Sequence, residues 1–154
     1  PVIMKDGKVR LYYKGVEKLR VHSIGLAVAD CPTCEYKRFS DKPLNMGVGA
    51  EDPFIWQESG KYKALMLDHE KRYSHDKEIF YAESTDGIHW KVPTNAIAIS
   101  KTIKFADGTV KKMNSTERPH VLIENGKPTH VFFATGETIN GKRFTWNMAI
   151  PLKK

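Results

Sequence analysis

The segment Pro53–Leu67, PFIWQESGKYKALML, is the key to the architecture, because its pattern of residue types occurs three times along the chain. Each copy contains Pro, an apolar run, a polar or acidic turn, Gly-Lys and a second apolar run. The other two copies are Pro1–Tyr13, PVIMKDGKVRLYY, and Pro119–Phe133, PHVLIENGKPTHVFF. Internal similarity of this kind is typical of architectures built from equivalent units.

Each copy of the repeat predicts a β-hairpin. An acidic or amide residue at or before Gly, between two β-rich runs, favours a tight turn, since such turns need a positive φ at the tip. A third apolar segment follows each hairpin, at residues 23–29, 78–83 and 145–150. The second of these is followed by Asp86-Gly87, which predicts another turn into a short outer strand. Every unit is therefore expected to contain three or four antiparallel strands.

The spacing of the units favours a β-propeller. Their starts are 52 and 66 residues apart, which exceeds the roughly 40–50 residues of common blades, and the excess falls in polar loops such as 101–115. No segment has sustained helical periodicity, and the main alternative, a β-sandwich, does not explain the same block three times. We predict one all-β domain over residues 1–154, with antiparallel blades at about 1–50, 51–115 and 116–154.

Three blades do not close a ring, because propellers typically have about four to eight. We therefore expect an incomplete ring. Because Pro1 opens a repeat, the favoured hypothesis is that the chain is a piece of a larger protein. The alternatives are that a second chain completes the ring or that the repeat forms a sandwich.

Acidic residues precede the Pro of the second and third units. Asp52 stands directly before Pro53, and Glu117 stands two residues before Pro119. The first strand of a propeller blade lines the central channel, so side chains at its start converge on one end of the axis. Two carboxylates in one pocket suit glycoside hydrolysis, in which one gives a proton to the leaving oxygen and another stays ionised. The alternative is that both motifs only start turns.

Three motifs resemble a known group of enzymes. They are EDPFIW at Glu51–Trp56, STDGIHW at Ser84–Trp90 and ERPH at Glu117–His120. They look like the later blades of the five-bladed β-propeller glycoside hydrolases, the group that contains families 43 and 117, and the resemblance spans nearly the whole chain. About three of the five blades are implied. The resemblance also implies that Asp52 orients and tunes the acid and that Glu117 is the general acid.

The same resemblance implies a missing part. The unit at Pro1 matches the second blade, so the first blade with its general base lies outside this chain, and activity is expected to need the missing blades or a second chain. The implied reaction is inverting hydrolysis of glycosidic bonds in plant or algal poly- or oligosaccharides, with this carbohydrate as the partner. The alternative function is a non-catalytic propeller that binds carbohydrate or protein.

Two kinds of side chain are candidates for contacting the sugar from the strands of the second and third units. His69 follows the second strand of its unit, where it is expected to reach the same rim, and a solvated loop is the alternative. Trp56 and Trp146 offer flat faces for stacking on a sugar. Both lie in apolar strands, which is also typical of core residues.

Two further substrate-binding candidates lie beside Glu117. Arg118 points either into the channel or away from it. Next to Glu117 it favours an ionised carboxylate, which opposes an acid role unless the two side chains diverge. His120 is on the following strand, and it is expected either to contact substrate or to take part in packing.

The composition argues against other partners. The chain has 154 residues, of which 40% are hydrophobic, and no apolar run approaches the roughly 20 residues of a membrane-spanning helix. The net charge of +7 comes from scattered basic residues. Nucleic-acid binding usually needs a stripe of such residues beside stacking aromatics. We therefore expect neither a membrane nor a nucleic acid as partner.

The sequence requires no cofactor. His22, His75 and His89 have no spacing that makes a metal site, so no metal ligand is predicted, although the channel leaves room for a structural divalent cation. The single CxxC, Cys31–Cys34, has no second cysteine pair and no His pair nearby. Structural cysteines are therefore favoured over a redox pair or an incomplete metal site.

Overall fold

The structure, a computed structural model, describes residues 1–16, 21–46 and 49–152. These residues form fourteen β-strands and no helix, so none of them belongs to a helix that could cross a membrane. The strands are β1 (Val2–Ile3), β2 (Val9–Val16), β3 (His22–Ala29), β4 (Lys37–Arg38), β5 (Ala50–Glu58), β6 (Lys61–Asp68), β7 (Ile79–Ser84), β8 (Trp90–Lys91), β9 (Ile97–Ile99), β10 (Thr102–Lys104), β11 (Val110–Lys112), β12 (Ser115–Glu124), β13 (Lys127–Ile139) and β14 (Lys142–Pro151).

The strands of the described ranges form three larger antiparallel sheets and one small hairpin. The first sheet has the order β1-β2-β3-β4, and the second has the order β5-β6-β7-β8 with β9 also paired to β7. The third sheet has the order β12-β13-β14. Apart from β9, strands adjacent in sequence are adjacent in each of these sheets, as in the blades of a propeller. The prediction of antiparallel all-β blades in an incomplete ring is confirmed.

The three predicted hairpins are β1–β2, β5–β6 and β12–β13. Gly60 and Gly126, in the second and third turns, have φ of 76° and 74°, values that glycine adopts without a steric penalty. The predicted third strands are β3, β7 and β14. The segment 101–115, expected to be a polar loop, instead contains the β10–β11 hairpin, and the burial of Ile103 and Met113 ties this hairpin to the core.

The second sheet is buried on both faces. Ala64 and Met66 of β6 belong to a core shared with the first sheet, whereas Leu65 belongs to a core shared with the third sheet. Successive side chains of a strand point to opposite faces, so neighbours in β6 enter different cores. This explains why β6 is a continuous apolar run instead of an alternating one. The large buried side chains Phe80 and Phe133 occupy the first and second core, respectively.

The inner strands β5 and β12 share one irregularity. The register with the partner strand shifts directly after Glu51 in β5 and directly after Glu117 in β12. Asp52 and Arg118, the next residues, have φ of 51° and 53°. Each is followed by a proline, which has no N–H for the ladder and is therefore tolerated at a bulge. A β-bulge changes the direction of nearby side chains. Because both strands bulge at the same place, Glu51 is equivalent in position to Glu117, and Asp52 is equivalent to Arg118.

The two cysteines form a disulfide in the loop between β3 and β4. The Cα atoms of Cys31 and Cys34 are 5.1 Å apart. Neither thiol is free, and a metal site needs a thiolate, so the bonded pair offers no metal ligand. The disulfide closes the turn that connects the two strands.

Candidate functional site

The two bulges open onto one cavity of about 390 Å³. Asp52 from the second sheet and Glu117 from the third sheet both line it, although 65 residues separate them in sequence. The remaining lining residues are Glu51, Leu67, His69, Lys77, Lys101, Asn114, Ser115, Arg118 and Arg143. The structure thus brings together the two carboxylates that were predicted to be catalytic, together with His69 and Arg118.

The guanidinium of Arg118 lies between the two carboxylates. Its Nε is 3.7 Å from Oδ2 of Asp52, and its Nη1 is 3.7 Å from Oε2 of Glu117. Because a guanidinium is planar and compact, these two contacts limit the separation of the two carboxylate oxygens to about 10 Å. The Arg118 side chain is 70% exposed. It therefore contacts both carboxylates while remaining open to solvent.

Glu117 faces a second positive charge. Nη2 of Arg143, on the outer strand β14, is 3.9 Å from Oε1 of Glu117. An adjoining recess of about 240 Å³ shares Glu117 and both arginines, and Trp146 also lines it. In the ladder Trp146 lies opposite Thr135, and Thr135 lies opposite Thr116, so the register puts the Trp146 side chain on the other face of the sheet from Glu117. Arg143 was missed at the sequence level, because only the pairing of β14 with β13 brings it to the cavity.

Lys14 of β2 holds the carboxylates at the start of β5. Its Nζ is 2.5 Å from Oε1 of Glu51 and 3.6 Å from Oδ1 of Asp52. Burial raises the pKa of Glu51, but the hydrogen bond and charge of Lys14, with smaller contributions from His22 and His69, outweigh it and leave that pKa below its ordinary value. Glu51 is therefore ionised at neutral pH. Lys14 belongs to a different sheet, and no sequence signal pointed to it.

His69 lies at the edge of the cavity, directly after β6. Its Nε2 is 3.9 Å from Oε2 of Glu51 and 3.5 Å from Nζ of Lys77. On the other side of the ring, Nδ1 is 2.9 Å from Oε1 of Glu70. His69 thus lies at the rim of the cavity, the position expected from the sequence. Glu51 and Lys77 lie near one ring nitrogen, and Glu70 lies near the other.

Two other acidic residues, Asp68 at the end of β6 and Asp86 of the STDGIHW motif, hold the backbone and do not line the cavity. Asp68 is 1% exposed and accepts hydrogen bonds from the backbone N–H groups of residues 72–74 and from the Ser74 hydroxyl. Asp86 accepts bonds from the backbone N–H groups of Ile88 and His89 and contacts the His89 ring. The bond to the His89 side chain, followed by these backbone bonds, holds the pKa of Asp86 well below its usual range.

His120 and Trp56 do not line this cavity. The exposed His120 ring has its centroid 4.2 Å from that of Phe54, at the equivalent position of the neighbouring inner strand. Trp56 lines a larger cavity of about 1170 Å³ at the opposite end of β5 and β12, which Glu58 and Glu124 also line. The structure therefore separates Trp56 from Asp52.

Comparison with known proteins gives matches in fold. No protein-family model matches the sequence, and no curated protein matches it significantly. A solved structure described as a glycoside hydrolase has a TM-score of 0.56 at 14% identity over 92% of this chain. Zg3597, a family 117 glycoside hydrolase of the marine bacterium Zobellia galactanivorans, has a TM-score of 0.55 at 18% identity over 97%. A solved BT0996 complex with RGII has a TM-score of 0.56 at 14% identity over 92%.

The chain spans about two fifths of the length of these solved structures, namely 40%, 40% and 39%. At such low identities the likeness establishes the fold. The class that the fold defines is that of partial β-propellers like those of glycoside hydrolases. The resemblance predicted from the EDPFIW, STDGIHW and ERPH motifs is thereby confirmed for the fold, including its likeness to a family 117 enzyme.

Proposed function

We propose that the chain forms part of the active site of an inverting glycoside hydrolase that acts on plant or algal poly- or oligosaccharides. One observation carries the proposal: Asp52 and Glu117, from different sheets, line the same cavity. The likeness in fold to glycoside hydrolases agrees with it. Because one fold hosts many functions, the proposal depends on the two carboxylates more than on the fold.

Each carboxylate has its own role in the proposed reaction. Glu117, protonated in the substrate complex, gives its proton to the glycosidic oxygen as the bond to the leaving sugar breaks. Asp52, ion-paired with Lys14 and Arg118, orients the acid. A base on a further blade takes a proton from the water that attacks the opposite face of the sugar. Arg118 and Arg143 both have to leave Glu117 when substrate binds, and the side chains of both are exposed.

The charges around the cavity favour an acidic sugar. Its wall has three carboxylates, those of Glu51, Asp52 and Glu117, and a larger number of basic side chains, which are Lys77, Lys101, Arg118 and Arg143. A uronate carboxylate or a sulfate group on the sugar would pair with these cations, and arginine binds such planar or tetrahedral anions through two parallel hydrogen bonds. We therefore expect acidic oligosaccharides to be hydrolysed in preference to neutral ones.

Hydrolysis by the full-length protein tests the proposal. Neutral and acidic oligosaccharides are incubated with the protein, and NMR follows the products and identifies the anomer released first. We expect the inverted anomer, and we expect Glu117→Gln to lower kcat by about 10²–10⁴-fold, because the proton donor is lost. The matched control is Glu124→Gln, on the same strand but at the other cavity, which should keep the unaltered turnover. Equal turnover in the two variants would remove Glu117 from the reaction.

A non-catalytic carbohydrate-binding propeller is the second candidate. It is favoured by the pairing of each carboxylate with cations, Asp52 with Lys14 and Arg118, and Glu117 with Arg118 and Arg143. Ionised carboxylates accept hydrogen bonds from sugar hydroxyls and have no proton to donate. Calorimetric binding of an oligosaccharide that Glu117→Gln weakens, without hydrolysis by the unaltered protein, would identify this function.

A further inference from the structure

The larger cavity, of about 1170 Å³, lies between the second and third sheets, and the proposed reaction does not use it. Its inner wall is formed by buried apolar side chains, Leu65 and Ile99 from the second sheet and Val121 and Val131 from the third. Leu152 also lines it and is 39% exposed, so solvent reaches part of the wall. An apolar cleft with a few polar groups is the usual form of a site for an organic ligand.

Two aromatic rings lie on the same face of the second sheet and flank this wall. In the ladder Trp56 is opposite Lys63, and Tyr81 is opposite Leu65, two residues further along β6. Opposite residues share a face of the sheet, and so do residues two apart on one strand, so Trp56, Leu65 and Tyr81 all face the third sheet. Only β6 separates β5 from β7, which puts the strands of the two rings about 10 Å apart.

The polar ends of both rings are directed at carboxylates of the second sheet. The Tyr81 hydroxyl is 3.5 Å from Oε2 of Glu83, and burial, followed by the charge of Glu83, raises the pKa of Tyr81 to about 12. Nε1 of Trp56 is buried and makes no hydrogen bond of ordinary geometry within the described ranges, but it is one of the groups that lower the pKa of Glu58. The two half-buried rings therefore offer their faces to a ligand.

The charges in the wall of the larger cavity balance. Two carboxylates, those of Glu58 and Glu124, and two ammonium groups, those of Lys63 and Lys127, line it. Nζ of Lys63 is 2.6 Å from Oε2 of Glu58, and the Thr129 hydroxyl donates a hydrogen bond to Oε2 of Glu124 at 2.6 Å. The smaller cavity differs, because basic side chains outnumber its carboxylates. Charge complementarity therefore favours a neutral ligand at the larger cavity.

We propose that the larger cavity is a second, non-catalytic site, which binds a neutral oligosaccharide with one sugar ring on Trp56 and a neighbouring ring on Tyr81. The C–H face of a sugar ring is apolar and packs on an aromatic ring, and the hydroxyls reach polar groups such as the Asn125 amide. The spacing of about 10 Å between the two strands is about the length of two sugar units. The choice of carbohydrate rests on the proposed function, whereas the choice of a neutral one rests on the wall.

Calorimetric titration with xylopentaose and laminaripentaose, two neutral pentasaccharides, tests the site. The full-length protein carries Glu117→Gln in every sample, and hydrolysis by the unaltered protein is measured separately, so each proposal can fail alone. We expect saturable binding of at least one pentasaccharide. Trp56→Ala should weaken it at least tenfold, as for truncation of a central aromatic contact. The matched control is Trp146→Ala, at the recess beside the smaller cavity, which should leave this binding unchanged.

Two variants of Tyr81 distinguish its ring from its hydroxyl. Tyr81→Ala removes the ring and should weaken binding by about threefold or more. Tyr81→Phe keeps the ring and should bind as tightly as the Glu117→Gln protein does, because the hydroxyl is directed at Glu83. Weaker binding by Tyr81→Phe than by Tyr81→Ala would contradict stacking.

If Trp56→Ala does not fold, methyl NMR of the Glu117→Gln protein provides the second measurement. Leu152 lines the larger cavity and Leu122 does not, although both are 39% exposed. We expect the pentasaccharide to shift the methyl resonances of Leu152 and to leave those of Leu122 in place. The site is overturned if neither pentasaccharide binds, if Trp146→Ala weakens binding and Trp56→Ala does not, or if the Leu152 methyl resonances stay unshifted in the bound protein.

Discussion

The two cavities at opposite ends of β5 and β12 differ in size and in chemistry. The larger, of about 1170 Å³, lies where both strands end in tight turns, and apolar side chains such as Trp56 and Leu65 share its wall with a few charges. The smaller, of about 390 Å³, lies where both strands bulge, and carboxylates and cations make up most of its wall. Volume therefore does not mark the candidate site in this fold. The candidate site is identified instead by charged side chains that converge where both strands have a β-bulge.

Turnover should separate the two ends most strongly. Asp52→Asn removes the charge of a carboxylate at the smaller cavity, and Glu58→Gln does the same at the larger one on the same strand. We expect Asp52→Asn to lower kcat of the full-length protein by about 10²–10⁴-fold, the range for losing a residue that supports proton transfer. Glu58→Gln should change kcat by less than about twofold, because Glu58 lies far from the reacting groups. Similar losses in both variants would contradict this distinction between the two ends.

The backbone at the two bulges should restrict which side chains positions 52 and 118 tolerate. Asp52 and Arg118 have φ near 50°, where a β-branched side chain is strongly disfavoured. Asp52→Val and Arg118→Val should therefore each lower the free energy of unfolding by about 1–3 kcal/mol relative to the Gly variant at the same position. Urea denaturation measures the difference. Valine and glycine both remove the ion pairs, so their difference isolates the backbone, and equal stabilities would argue against the bulge geometry.

The larger cavity should show the smallest effect, a dependence of stability on pH. Nζ of Lys63 is 2.6 Å from Oε2 of Glu58, and this hydrogen bond is the largest of the causes that lower the pKa of Glu58. A carboxylate whose pKa is lower in the folded protein than in the unfolded chain stabilises the fold at pH values above its unfolded pKa. This contribution is lost as the pH falls through the folded pKa. Lys63→Met should therefore lower the free energy of unfolding at neutral pH by less than about 1 kcal/mol.

Denaturation from neutral to acid pH checks this sign. The difference between Lys63→Met and the unaltered protein should shrink as the pH falls through the lowered pKa of Glu58, because below it Glu58 is protonated in both proteins. Lys61→Met is the matched control, because Lys61 pairs with the more exposed Glu83 at 3.5 Å. A difference that grows at acid pH would contradict the assignment.

Much of the fold was predictable from local chemistry. The Gly-Lys turns defined the three hairpins, since Gly60 and Gly126 occupy backbone conformations that few other residues adopt. The prolines after Asp52 and Arg118 aligned the inner strands, and this alignment placed Asp52 and Glu117 at the same end. Those features depend on neighbours in sequence, so one chain is enough to identify them.

The rest of the site depends on contacts between sheets. Lys14 reaches Glu51 across the interface of the first and second sheets, and the same interface brings His22 to His69. Arg143 reaches Glu117 because of the register of β14 on β13. No spacing in the sequence encodes these distances. The expectation that His22, His75 and His89 form no metal site was drawn from such spacing alone.

Cross-linking gives the sharpest test of whether the two bulges face one cavity. The variant Asp52→Cys/Glu117→Cys is treated with a short reagent that joins two thiols, and mass spectrometry identifies the linked peptides. The control is Asp52→Cys/Glu124→Cys, whose second cysteine lies on the same strand at the larger cavity. We predict an intramolecular link between positions 52 and 117 and none between 52 and 124. Equal linking of the two pairs, or no link between 52 and 117 in the folded protein, would contradict the shared cavity.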